Sequence, residues 1–108
     1  MRIYTCHPGK LGAFLKLVET EILPLQTKYC GNLVFYSTSE TGELNQVVQV
    51  WAYQDAADRD ARRSAMWADP AWLALGEKAM PLIQHQENRL LKPTAFSPSA
   101  SHAGSAHI

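Results

Sequence analysis

Gly42–Tyr53, GELNQVVQVWAY, is the stretch whose reading decides the fold. It reads as the tip of a hairpin followed by a central β-strand, in which successive side chains point to opposite faces. Val48, Val50 and Ala52 share one face and are apolar. Asn45, Val47, Gln49, Trp51 and Tyr53 share the other, where aromatic and amide groups mix. The aliphatic set reads as core. The mixed set is too apolar for solvent and too polar for an ordinary core, so it reads as the lining of an interface or a pocket.

Immediately upstream, Leu33–Thr38 has the composition of a strand, and Glu40-Thr41-Gly42-Glu43 is a turn into the central one. Pairing Ser39 with Leu44 sets Val34 opposite Gln49, Tyr36 opposite Val47, Leu33 opposite Val50 and Phe35 opposite Val48. Opposed residues share a face, so this register gives an aliphatic-and-Phe side and a Tyr/Gln/Trp side. Further back, Leu11, Phe14, Leu15, Val18, Ile22 and Leu25 follow the spacing of a helix with one buried stripe, and Pro24 is expected to kink its last turn. Arg2–Cys6 reads as the first strand.

Downstream, Asp55 is placed to cap a helix, with Asp58 as the acid three residues on, and Asp55–Arg59 and Asp58–Arg62 are spaced to pair along it. Asp69-Pro70 restarts the helix, Trp72, Leu73, Gly76 and Met80 share a face of the second piece, and Pro81 ends it. Ile83–Lys92 is the last strand, whose facing alternation leaves open. The order strand, helix, strand, strand, helix, strand is the ferredoxin-like split βαβ pattern, an α+β fold with a four-stranded antiparallel sheet. Right-handed crossovers put both helices on one sheet face. They are expected to cover Ile3, Leu33, Phe35, Val48 and Val50, and to leave Tyr4, Val34, Tyr36, Val47, Gln49 and Trp51 bare. At about 25 cal/mol per Å² the bare set would be worth several kcal/mol if covered, and a second copy of the sheet is the expected cover.

The chain has 108 residues, enough for one domain at 1–93, followed by a tail at 94–108 rich in Pro, Ser and Ala. Ten Lys plus Arg balance ten Asp plus Glu, so a strongly electrostatic partner such as nucleic acid is not expected. Apolar runs fall short of the roughly 20 residues of a membrane span, and the start MRIYTCHPGK lacks the apolar segment of a signal peptide. A cytoplasmic chain is expected. Cys6 and Cys30 lie at opposite ends of the first helix and read as free thiols.

Taken together, YTCHPGKLGAFLKL, GELNQVVQVWAY and ARRSAMWADPAWLAL followed by QENRLLKPTAFSP resemble the NIPSNAP family, from Met1 to about Pro98. The resemblance implies a dimeric α+β barrel. It implies no settled enzymatic activity, since animal members are linked to mitochondria and vesicle traffic while related barrels include cofactor-independent monooxygenases, lactone isomerases and haem enzymes. The chain departs from the family in carrying Gln49 where many members carry His, which argues against acid–base chemistry from that position.

Three functional classes follow. Tyr4, Tyr36, Gln49 and Trp51, with Glu87 on the last strand, could bind a small planar molecule without turnover, or simply form the dimer core. In an enzyme, a cofactor-independent oxygenase or isomerase acting on an aromatic or enolisable substrate, Tyr36 would donate a proton and Gln49 would orient the substrate. Arg2 or Arg89 would stabilise negative charge. The third class is an adaptor that recruits proteins through its outer helices. His7 and His85 stand apart, so neither a metal nor a cofactor is expected, and Arg59, Arg62 and Arg63 read as a solvated helix face. The chain has no GxSxG, P-loop or GxGxxG.

Overall fold

A computed structural model describes residues 1–98 of the chain, so most of the expected tail, 99–108, lies outside the described residues. Strands β1 (Arg2–Cys6), β2 (Asn32–Thr38), β3 (Gln46–Ala52) and β4 (Ile83–Asn88) form one antiparallel sheet in the order β2-β3-β1-β4. β3 is paired on both edges, by β1 and by β2, as the central-strand reading requires. β4 is shorter than expected. Beyond it the Arg89 N–H donates to the Met1 carbonyl at 2.8 Å, and the Met1 amino group donates to the Arg89 carbonyl at 2.8 Å.

The first crossover is not one continuous α-helix. α1 (Leu11–Leu17) passes through a π-helical segment, Val18–Ile22, into α2 (Leu23–Cys30). Its buried residues are Phe14, Val18, Ile22, Gln26 and Cys30, each four positions after the last. An α-helix turns about 100° per residue, so a step of four overshoots by about 40° and such a stripe would wind off the sheet. The wider π turns absorb the overshoot. Pro24, expected to kink the last turn, sits one residue beyond the π segment at the start of α2, so the widened turn is the local distortion beside it. Gly31, at φ 81° and ψ −62°, closes α2 with a positive φ that favours glycine.

α3 (Ala56–Trp67) and α4 (Pro70–Ala79) form the second crossover. Asp55 accepts from the Asp58 N–H at 2.7 Å and Asp69 from the Ala71 N–H at 2.9 Å, so both expected caps are made. Asp58 pairs with Arg62 at 2.8 Å, whereas Arg59 turns to Asp60 at 3.6 Å rather than to Asp55. The inward stripe of α4 runs through Trp72, Leu75, Gly76 and Ala79, while Leu73 and Met80 are about half exposed. A 3₁₀ turn, Met80–Leu82, carries Pro81 and leads into β4.

The β2–β3 register differs from expectation by two residues: Tyr36 lies opposite Gln49, Phe35 opposite Val50 and Thr38 opposite Val47. The loop is longer than a tight turn, with Gly42 at φ 88° and Asn45 at φ 61°, and Ser39 donates its N–H to Gln46 at 3.0 Å. A two-residue slip preserves the facing of every side chain. An irregularity between Leu33 and Phe35 then moves Leu33 to the Trp51 side.

The larger correction concerns which face the helices cover. Phe14, Val18 and Ile22 from the first crossover and Leu75 and Ala79 from α4 enclose Cys6 and Val47, with Tyr4 and Tyr36 packed against them. Met66 of α3 and Cys30 enclose Trp51 and Tyr53. The helices therefore lie on the Tyr/Gln/Trp side. The face carrying Ile3, Phe35 and Val48 is the one the helices leave uncovered among the described residues, and Phe35 remains 46% exposed, although Val50 and Ala52 further along β3 are buried. No helix among the described residues is long and apolar enough to cross a membrane.

Candidate functional site

Gln49 sits mid-strand on β3, under the helices, and is 1% exposed. A carboxamide buried there must find partners or forfeit its hydration. Its oxygen accepts from the Trp51 indole N–H at 2.7 Å and from the Gln26 amide at 3.5 Å, and its own amide donates to the Tyr36 hydroxyl at 3.4 Å. Gln26, 4% exposed, is delivered from α2 by the four-residue stripe. Among the described residues no buried side-chain polar atom lacks a partner.

Beside this network is a hollow of about 100 Å³ between sheet and helices, open to solvent on one side. Its polar wall is Arg2, Tyr4, Tyr36, Gln49, Gln86 and Gln26 from the sheet and α2, with Arg63 from α3. Its apolar wall includes Phe14, Trp67, Trp72 and Ile83, and Gly76 of α4 contributes no side chain. The Tyr4 and Phe14 rings meet edge to face with centroids 6.1 Å apart, as do Trp67 and Trp72 at 6.1 Å. Arg2 donates its Nε–H to the Tyr4 hydroxyl at 2.8 Å and lies 5.5 Å from the centre of the same ring.

The electrostatics are one-sided. Burial pushes the Tyr36 phenol well above its ordinary value, with Tyr4 and Cys6 adding to the shift, so it stays protonated and can act as a hydrogen donor but not as a base. Burial also lowers the Arg63 guanidinium, and repulsion from Arg2 lowers it further.

Of the residues expected at a site, Arg2, Tyr4, Tyr36 and Gln49 converge on this hollow. Trp51 lies behind Gln49 and holds its oxygen. It lines a smaller recess of about 10 Å³, together with Arg89 and Arg59, which adjoins the hollow through Arg2 and Arg63. Glu87 is on the opposite sheet face, 4.0 Å from His85 and in register with Ile3, so it does not join the others. Gln26, Arg63, Trp67 and Trp72 were not expected. The signal for Arg63 was its position three before Met66 and four after Arg59, which puts it on the inner face of α3 rather than with the exposed Arg62.

A four-stranded sheet with a split βαβ order, helices on one face and a hollow beneath them define a ferredoxin-like α+β domain. The NIPSNAP family profile matches residues 1–98, and the chain belongs to that family. It is similar to a NIPSNAP family protein of unknown function from Agrobacterium tumefaciens, with 41% identity, a TM-score of 0.86 and coverage of 90% of this chain and 87% of that one. An uncharacterised NIPSNAP domain protein from Burkholderia xenovorans is 40% identical at a TM-score of 0.86, over 90% of this chain and 94% of its own. Protein NipSnap of Drosophila melanogaster is 39% identical over 61 residues, 56% of this chain and 22% of the fly protein. Human NipSnap homolog 3A is 35% identical over 86 residues, 80% of this chain and 33% of its own. The chain thus spans a third or less of these two longer relatives.

Proposed function

We propose that the protein binds a small molecule in the hollow between sheet and helices, and works as a homodimer whose two uncovered sheet faces meet. The observation that carries the binding reading is Gly76. A glycine inside a helix costs about 1 kcal/mol relative to alanine. Here a Cβ would meet nothing within 4 Å, so packing within the chain does not require the glycine. It keeps the hollow open opposite the Gln49 network. The dimer is supported by the uncovered Ile3, Phe35 and Val48, and a cytoplasmic, reducing location by the two buried free thiols.

Native mass spectrometry of the purified protein and of Gly76→Phe tests both parts. The expected result is a dimer carrying a retained or added ligand that Gly76→Phe does not carry. A monomer at working concentration removes the dimer, and a ligand retained undiminished by Gly76→Phe removes the site.

A turnover reading, a cofactor-independent oxygenase or isomerase on an enolisable substrate, is favoured by the protonated Tyr36. Its hydroxyl could donate to a substrate oxygen while Gln49 orients the substrate and Arg2 balances developing charge. Arg89 is in the recess and is the weaker choice for that role. Turnover that survives both Tyr36→Phe and Gln49→Ala would remove this assignment.

A further inference from the structure

The hollow is rich in cationic donors and has no carboxylate in its lining, and this indicates the class of molecule it would take. Arg2 and Arg63 line both the hollow and the adjoining recess, and Arg59 and Arg89 line the recess, whereas no Asp or Glu lines either. Four of the chain's ten Lys and Arg residues are gathered here in a protein with no net charge. On the same helix, Arg59 is within 3.6 Å of Asp60 and Arg62 within 2.8 Å of Asp58, but among the described residues neither Arg2 nor Arg63 has a carboxylate partner. The phenols add to the imbalance. The Tyr4 oxygen already accepts from Arg2 and the Tyr36 oxygen from Gln49, and among the described residues neither O–H has an acceptor. A phenol whose oxygen is occupied still has a hydrogen to give.

We propose that the ligand is a small organic carboxylate, its apolar body against Phe14, Trp72 and Ile83 and its carboxylate held by Arg2 and Arg63 with the Tyr36 hydroxyl. This rests on the binding reading above and deepens it. Size limits the body. A dry cavity of about 150 Å³ takes a benzene ring. The 100 Å³ here suits a short acyl chain or a ring only partly enclosed, with the charged end toward the opening. Arg63 is held below its ordinary value by burial and by Arg2, and an anion between the two guanidiniums would relieve both effects.

The test compares acids with their neutral amides, hexanoate with hexanamide and benzoate with benzamide, on the full chain. Quenching of Trp67 and Trp72 fluorescence is the readout. At least one acid is expected to bind tenfold or more tightly than its amide, since charge-assisted hydrogen bonds are about twice as strong as neutral ones. In Arg63→Met that preference should fall below threefold with amide binding unchanged, and Arg63→Lys should keep it. Raising the salt concentration should weaken the acid and leave the amide alone, a check that needs no variant. Equal binding of acid and amide by the unaltered protein overturns the carboxylate proposal and leaves the binding site standing. A preference that survives both Arg2→Met and Arg63→Met, or that is indifferent to salt, also overturns it. Binding of no probe at all removes both readings.

Discussion

Replacing Gln49 with methionine separates the role of the buried amide from that of its volume. Met fills nearly the same space and removes both polar ends of the side chain. Three bonds are lost, but their lengths weight them unequally. Trp51 loses its 2.7 Å bond and is left with a buried N–H, at a cost of about 1–3 kcal/mol. The contacts to Gln26 at 3.5 Å and Tyr36 at 3.4 Å are at the limit of useful geometry, and Tyr36 is beside the open hollow where water reaches it. A loss near 2 kcal/mol is therefore expected, a fall of roughly 10 °C in the unfolding midpoint for a domain of this size. Gln26→Met removes only the weakest bond and leaves the Gln49 oxygen paired with Trp51, so it should cost under about 1 kcal/mol. Urea or thermal unfolding of the two variants, followed by near-ultraviolet circular dichroism of the tryptophans, gives the comparison. Equal losses, or a Gln49→Met protein as stable as the original, would show that the amide does not organise this layer.

Gly76→Ala should raise stability by about 0.5–1 kcal/mol in thermal unfolding while weakening any ligand of the hollow, because helix propensity is gained and nothing is displaced. Val48→Asp, on the uncovered sheet face, should give a folded monomer by light scattering. A dimer of unchanged affinity would place the subunit contact elsewhere. The Asp69 carboxyl is held below its ordinary value first by the Tyr29 hydroxyl, at 2.6 Å, and then by the Ala71 N–H. Its ionised form stabilises the fold above the usual carboxylate range, and that contribution disappears as pH falls through the lowered folded value. Asp69→Asn keeps the cap and cannot titrate, so the midpoint difference between the two proteins should narrow on acidification below about pH 4. Both thiols are buried, and burial raises the Cys6 value, so a thiol reagent should react slowly with the native protein and count two groups in denaturant.

Much of the fold was legible because its signals are local. The Asp55 and Asp69 caps, the restart at Pro70 and the central position of Gln46–Ala52 depend on residues next to one another in the chain, and the structure forms each as read. The facing of the sheet depends on what arrives from elsewhere. Val50 and Ala52 look like core and are buried, whereas Val48 looks like core and is not, and Gln49 and Trp51 do not look like core until Gln26 is known to lie opposite them. Gln26 was hidden because an α-helical spacing continues the stripe from Ile22 to Leu25, and the π turn carries it to 26 instead. Arg63 was hidden by company, in a run of basic side chains of which Arg62 faces water and Arg59 only lines the adjoining recess. Four of the candidate site residues still converge, since they share the face the helices cover.

The π turn at Val18–Ile22 also constrains how this family can gain and lose residues. In most helices a one-residue deletion rotates everything beyond it by about 100°. Here α-helical winding through a segment one residue shorter would replace the π turn and keep the residues beyond it on nearly the same face. Gln26 would stay near Gln49, and the Cys30 sulfur near Met66, from which it now lies 3.9 Å. The count along the chain from Phe14 to Cys30 can thus fall by one. Relatives that share the Gln49 network can align through this segment with or without a one-residue gap, and the seven-residue loop between β2 and β3 is a second place where their lengths are free to diverge.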